Sequence, residues 1–384
     1  MAERILITSA RAASALDIGR DFARAGYEVH GADCSAARMS RWSRSVAKVH
    51  KYASPVRDPD GFAADMLRLH DTLAPVLIVP SSEEIFHLAR PALAERLGET
   101  LFAPPLATLK LLHDKFAFAD ACARDGLPVP DSHRLADPAD VEPYAGQGGD
   151  WVFKPCFSRF GAEVLIGPAD DALSAIAPTR KRPWVAQRRV LGRDASFYAV
   201  ARGGALTAFA AYGGEWRLLG AAINFDPVEP ELDARIEALA ARIAALFGIT
   251  GQFACDLIVD SAGEPWLIEC NPRATSGVHL LAGGGELARA MFGTAARLAR
   301  ASRAPRHLLP ALATRGLVSA IREGRLGEWA GQIRRGSDVA GAPGDRRPAF
   351  GALLDGLGFV LAGALDGTSM TAAATADIEW NGEE

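Results

Sequence analysis

Asp256-Leu-Ile-Val-Asp-Ser-Ala-Gly-Glu-Pro-Trp-Leu-Ile-Glu269-Cys270-Asn271-Pro272-Arg273 is the stretch that decides the architecture. Two apolar runs, residues 253–259 and 265–268, flank Asp260-Ser-Ala-Gly263, a connection with the glycine of a β-hairpin turn. Strands paired across that turn place Asp256 beside Glu269 and Asn271. Residues two apart on a strand share a face, so Glu269 and Asn271 point to the side of Asp256 while Cys270 points away. Three oxygen ligands on one wall, with Arg273 just beyond, suit a hard divalent metal that bridges phosphates. A solvated surface hairpin is the plain alternative. Against it, Glu-Cys-Asn-Pro-Arg follows Trp-Leu-Ile directly, where an ordinary strand end would simply turn polar.

Working outward, residues 231–247 read as an amphipathic helix with Ile236, Leu239, Ile243 and Leu246 on one face, closed by Gly248. Before it lie strands at Trp184-Val-Ala-Gln187, residues 196–201 and residues 205–211, with Gly192-Arg-Asp194 ahead of the second. Trp151-Val-Phe-Lys154-Pro155 is a strand that runs into the loop Cys156-Phe-Ser158-Arg159-Phe160-Gly161. Residues 107–125 read as one helix containing His113-Asp114-Lys115, ended by Gly126-Leu-Pro-Val-Pro130.

The first hundred residues alternate strand and helix patterns, including the fully apolar Pro75-Val-Leu-Ile-Val-Pro80, as in a parallel sheet covered on both faces. Functional loops in such a domain sit at the carboxyl ends of its strands: Thr8-Ser-Ala-Arg11, Asp33 and Ser81-Ser-Glu83-Glu84. The first turn holds no glycine, which excludes the Gly-x-Gly-x-x-Gly dinucleotide cradle.

The chain of 384 residues calls for two or three domains. A formal charge of −4 without a basic block argues against nucleic acid as partner. Five scattered cysteines without a Cys-x-x-Cys pair fit reduced thiols and give no structural zinc site. No signal-like core opens the chain, and the apolar stretch 350–362 carries Asp355 and reads as too short to span a bilayer. A soluble cytoplasmic protein is expected.

In order and spacing, Lys115, Lys154-Pro155, the Ser158–Gly161 loop, Gln187, Gly192-Arg-Asp194, Asp256 and Glu269-Cys-Asn-Pro-Arg273 resemble the ATP-grasp superfamily of carboxylate–amine and carboxylate–thiol ligases. The carbamoyl-phosphate-synthase-like members are the nearest in kind. A bacterial biosynthetic branch is similar in its Thr-Ser-x-Arg opening, its Pro-x-x-Glu-Glu-x-Phe turn and its Asn-Pro-Arg-Ala-Thr-Ser-Gly-x-His-Leu run. The resemblance covers roughly residues 1–300 and implies α/β and α+β architecture: a Rossmann-like domain over residues 1–105 and a two-subdomain ATP-grasp fold over 106–300. Beyond it, residues 301–384 read from their own pattern as a mainly helical segment, with a lid and a dimer element as the two alternatives.

The resemblance also assigns roles. Lys115 and Lys154 meet the phosphates, and Ser158 and Gly161 belong to the phosphate-covering loop. Gln187, Arg188 and Val190 form the adenine hinge, and Asp194 takes the ribose. Asp256, Glu269 and Asn271 hold magnesium, with manganese as a substitute ion. Many peptide-ligase relatives carry an arginine two residues before the first acid; Ala254 stands there in this chain. Arg273 and Arg159 therefore become the cations expected to face the transferred phosphoryl group. His279 is a candidate base for the attacking amine, and Ser276, Gly277, Arg11 and Glu83 are candidate substrate contacts. Cys156 and Cys270 lack a base at recognisable spacing and read as packing residues. The implied activity joins a small carboxylate to an amine through an acyl phosphate, with ADP and phosphate released. Ring closure, phosphoryl transfer without ligation, and a non-catalytic nucleotide sensor are the alternatives. The implied partners are small molecules, with neither nucleic acid nor membrane, and a homodimer is compatible with the terminal segment.

Overall fold

The structure is a computed structural model that describes residues 2–158, 163–218 and 221–382. The amino-terminal unit runs β1 (Arg4–Thr8), α1 (Ala13–Arg24), β2 (Glu28–Asp33), α2 (Arg38–Arg41), β3 (Lys48–Lys51), α3 (Pro59–Leu73), β4 (Leu77–Val79), α4 (Glu84–Leu88) and α5 (Pro91–Leu97). Its four strands form a parallel sheet in the order β3-β2-β1-β4. Both faces are buried, as the unbroken apolar strands require. Ile5 and Ile7 pack with Phe22 of α1, while Leu6 and Ile78 pack with Phe62 and Met66 of α3. Asp58 caps α3 by accepting from Gly61 N–H, with Pro59 next to it at the first helical turn. The strand β3 and its short helix α2 carry no periodic signal in the sequence and are additions to it.

The central portion opens with α6 (Leu106–His113) and α7 (Lys115–Arg124), where one continuous helix was expected. The break falls at Asp114, whose backbone is extended (ψ 108°) and whose carboxylate accepts from the N–H groups of Phe116 and Ala117. An aspartate at that point satisfies orphan donors better as a cap than as a mid-helix residue. The break places Lys115 at a helix start. Next come β5 (Ser132–Leu135), β6 (Trp151–Pro155), β7 (Leu165–Ile166), α8 (Asp170–Ser174) and β8 (Trp184–Arg188), four strands of an antiparallel sheet ordered β5-β8-β6-β7.

A larger sheet follows: β9 (Gly192–Arg202), β10 (Ala205–Gly213), the short β11 (Arg217–Leu218) and β12 (Ala221–Ala222) ribbon beside it, β13 (Asn224–Pro227), α9 (Pro230–Leu246), β14 (Gly251–Asp260) and β15 (Pro265–Asn271). Gly192-Arg-Asp194 forms the start of β9, which runs on through residues 196–201 as one strand. Helix α9 lays Leu232, Ile236, Leu239 and Ile243 on one face of this sheet against Phe197, Phe209 and Phe253. Each such side chain contributes about 1.5–3 kcal/mol of burial. The opposite face, with Tyr198, Val200 and Ala210, joins Ile5, Phe22 and Val79 of the first unit in one core, so apolar packing runs across residue 105.

The remainder holds α10 (Val278–Leu281), α11 (Glu286–Phe292), β16 (Ala299–Arg300), β17 (Arg306–His307), α12 (Leu309–Ala311), α13 (Leu317–Glu323), α14 (Leu326–Arg335), β18 (Ser337–Asp338), α15 (Arg347–Asp366) and α16 (Met370–Thr375). Three of these strands extend the large sheet, an extension that the sequence reading of a mainly helical segment did not include. Before α11, the carboxylate of buried Asp21 accepts from the N–H groups of Gly283, Gly284, Gly285 and Ala288 at 2.7–3.1 Å. Helix α15 is 20 residues long, longer than the apolar stretch seen in the sequence, and meets the length and composition needed to cross a bilayer.

Candidate active site

The hairpin pairs as its sequence demands. Asp256 lies opposite Glu269 and Cys255 opposite Cys270, with a β-bulge that shifts the register between Asp256 and Leu257. Cys255 and Cys270 point into the core with Phe253 and Leu267, and burial pushes the Cys255 thiol well up. Asp256 and Glu269 therefore stand together on the other face. Burial and the Glu269 carboxylate push Asp256 up to about 6. Glu269 moves the other way: its own burial is outweighed by Lys115 and Lys154, which hold it below the usual carboxylate range. Asn271 donates its amide to Asp256 Oδ2 at 3.3 Å, and Ser196 donates its hydroxyl to Asp256 Oδ1 at 2.7 Å.

The two lysines arrive from different elements. Lys115 starts α7, and its Nζ lies 3.7 Å from Glu269 Oε2 while donating to the Ser158 carbonyl at 2.9 Å. Its backbone N–H donates to the Cys156 carbonyl, which ties the helix start to the loop after β6. Lys154 on β6 reaches within 3.9 Å of the same Glu269 oxygen. Both lysines are buried. Burial, with Lys115 nearby, pulls Lys154 down to about 8 against the opposing pull of Glu269. Arg273 donates to Asn271 Oδ1 at 3.3 Å and lies 3.7 Å from Glu83 of the first unit, so it links the hairpin to the ends of the parallel strands.

Near the end of β8, Gln187 is buried and donates to Ser132 Oγ and to the carbonyl of Ile268, the residue at the bulge. Arg188 stacks over Trp151 and pairs with Asp150, and Val190 follows in the connection to β9. Asp194 is exposed, pairs with Arg217 at 2.6 Å, and shares its strand face with Ser196 two residues on. Arg159 and Gly161 fall outside the described residues.

His279 is not brought to this cluster by any contact. It is buried, its Nδ1 lies 2.9 Å from Asp17 Oδ2, and its ring packs on Phe225. Arg11 is likewise engaged, by Asp33 on one side and Asp377 on the other. Cys156 is buried and its thiol is pushed up to about 12 by burial, in keeping with a packing role. Ser196 is a contributor the sequence reading missed. Its signal was available, because Asp194 and Ser196 alternate on a strand that borders β14.

Residues 112–277 match the ATP-grasp domain family. No curated protein matches the chain by sequence. Among solved structures, the chain is similar to an L-amino acid ligase from Bacillus licheniformis, at 16% identity over 75% of each chain with a TM-score of 0.58. It is similar to N5-carboxyaminoimidazole synthetase from Staphylococcus aureus, at 16% identity over 79% of this chain and 80% of that one, with a TM-score of 0.60. A biotin carboxylase from Campylobacter jejuni, solved with an ATP analogue, aligns at 14% identity over 79% of this chain and 73% of its own, with a TM-score of 0.61. At these identities the likeness is one of fold, and it covers more of the chain than the matched region does. Residues 112–277 are an ATP-grasp domain, set in a chain that has the ATP-grasp fold.

Proposed function

We propose that the chain is an ATP- and magnesium-dependent ligase that converts a small carboxylate to an acyl phosphate and condenses it with an amine. The carrying observation is the convergence of Lys115 and Lys154 on Glu269 beside Asp256. Two buried ammonium groups facing two crowded carboxylates make a charge-dense pocket that a polyphosphate and a divalent cation neutralise together. The donor set fits magnesium: two carboxylates and an amide are hard oxygen ligands, and Asp256 is pushed up first by burial and then by the Glu269 carboxylate, two costs a bound cation would offset. Asp256, Glu269 and Asn271 would hold the ion, which supplies charge neutralisation at the phosphates.

The chain's own groups do the positioning. Lys115 and Lys154 bind phosphate oxygens, and the Ser158 loop with Arg159 and Gly161 covers them. Gln187, Arg188 and Val190 receive the base, and Asp194 the ribose. Arg273 faces the charge that grows as the γ-phosphoryl group passes to the carboxylate. An amine then displaces phosphate from the acyl phosphate. Among the similar structures, the ligase of L-amino acids favours an amine as the nucleophile. Five free cysteines fit a reducing cytoplasm.

The test is release of ADP and phosphate by the purified protein with magnesium–ATP and pooled amino acids and small carboxylic acids, read with mass spectrometry. Pool-dependent ADP, with a product equal to two components less water, supports the proposal. AMP in place of ADP, or no pool dependence despite nucleotide binding, sinks it.

A further inference from the structure

Helix α15 carries two opposed faces. The inner one holds Pro348, Gly351, Asp355 and Gly363, all buried. Gly351 lies so close to α2 that a Cβ there would meet the Arg38 backbone at 2.6 Å. Asp355, the only charge between Arg347 and Asp366, is turned into the protein, where it accepts from Met39 N–H and pairs with Arg38. The outer face is different. Phe350, Leu353, Leu354, Leu357, Val360, Leu361 and Leu365 follow helical spacing, from 44% exposed at Leu354 to 87% at Leu365. The faces of Gly356 and Gly358 are also open, with nothing within 4 Å of a built Cβ.

We infer that this face binds a second copy of the same chain, helix α15 against helix α15 across a two-fold axis. Area is the first argument. The seven residues, one aromatic and six aliphatic, together expose several hundred Å², at or above what a monomer ordinarily leaves open and close to the roughly 800 Å² that one partner contributes to a standard stable interface. Chemistry is the second. The face is uncharged along its length, so it complements itself, and an isologous contact needs only one such patch. A bilayer surface is the poorer occupant: interfacial helices carry Lys and Arg along their margins, and none lies between Arg347 and Asp366.

Sedimentation velocity of the full chain at micromolar concentrations tests this. The expected species has twice the 40.6 kDa chain mass. Leu357→Glu and Leu361→Lys should each weaken association by roughly two orders of magnitude, with an unchanged far-UV circular dichroism spectrum. If either charged variant fails to fold, the milder pair Leu353→Ser and Leu357→Ser carries the same test. A wild-type chain that stays monomeric overturns the proposal, and so does a dimer indifferent to these substitutions. A monomer captured by phosphatidylcholine–phosphatidylglycerol vesicles assigns the face to lipid and also overturns it.

Discussion

Arg11 and Asp377 stand 366 positions apart in the chain, yet their side chains form a two-pronged ion pair with contacts of 2.7 and 2.9 Å. The guanidinium is closed on its other side by Asp33 at 2.6 Å, and Arg11 and Asp33 are both buried. The carboxyl-terminal tail thus plugs the loops at the ends of the parallel strands, where an open α/β sheet would otherwise receive a ligand. Arg11→Met should lower unfolding stability by about 3–5 kcal/mol, because Asp33 is left as an uncompensated buried charge. Asp377→Asn, at the more exposed end, should cost about 1 kcal/mol. Urea midpoints of the two variants check the order; equal losses would refute it.

The tail also reaches the lysine pocket. Trp380 stacks on Phe86 at 4.4 Å and meets Phe157 edge-on at 5.4 Å. Phe157 directly precedes Ser158, whose carbonyl holds Lys115. Trp380→Ala should remove about 3 kcal/mol of stability and weaken nucleotide binding several-fold as that loop loses its backing. Calorimetric titration with ADP decides it. Lost stability with unchanged affinity would show that the tail supports the fold alone.

At the hairpin, Asp256→Asn removes a carboxylate that crowds Glu269. The metal-free variant should melt higher than the metal-free wild type. Magnesium–ADP should raise the wild-type melting temperature and leave the variant almost unmoved. Turnover should fall by about two orders of magnitude, the scale of losing a positioned electrostatic group. Thermal scans with and without magnesium and chelator read the first two effects. An equal magnesium response in both proteins would remove Asp256 from the ligand set.

His87 predicts a pH response away from the pocket. Burial pulls its pKa from the ordinary 6.5 down to about 4, so the folded state binds its proton less readily than the unfolded state. His50 is shifted the same way, first by burial and then by His30. Where the unfolded chain holds more protons, stability rises with pH. The contribution is complete above about pH 6.5 and is lost as pH falls toward 4, by a few kcal/mol for His87. In His87→Gln, whose amide can still donate to the Glu379 carbonyl that His87 Nε2 contacts at 3.1 Å, denaturation midpoints should change less between pH 7 and 5. A slope as steep as wild type would rule His87 out.

The hairpin and its ligand face were legible because strand periodicity is two and the turn is short: nothing distant was needed to put Asp256 beside Glu269. The same held for Lys154 at a strand end. Legibility failed where one residue had two local uses. Asp114 sits in a good helical run, and only its role as a cap breaks that run and sets Lys115 at a helix start. It failed again where partners are far apart in sequence. Nothing in the sequence showed that Asp377 would pair with Arg11, a candidate substrate contact, or that Asp17 on the first helix would pair with His279, a candidate base. The outer face of α15 was hidden for another reason. An apolar helix in a sequence looks the same whether a core or a partner covers it.

The Asp21 carboxylate among the amides of Gly283, Gly284, Gly285 and Ala288 has a meaning beyond holding α11 in place. Successive glycine N–H groups at the start of a helix attract any phosphate in reach. A protein that handles polyphosphates cannot leave such a cradle open without creating a decoy that competes for nucleotide. Filling it with a side chain of the same protein removes the competitor and leaves the lysine pocket without a rival at that loop.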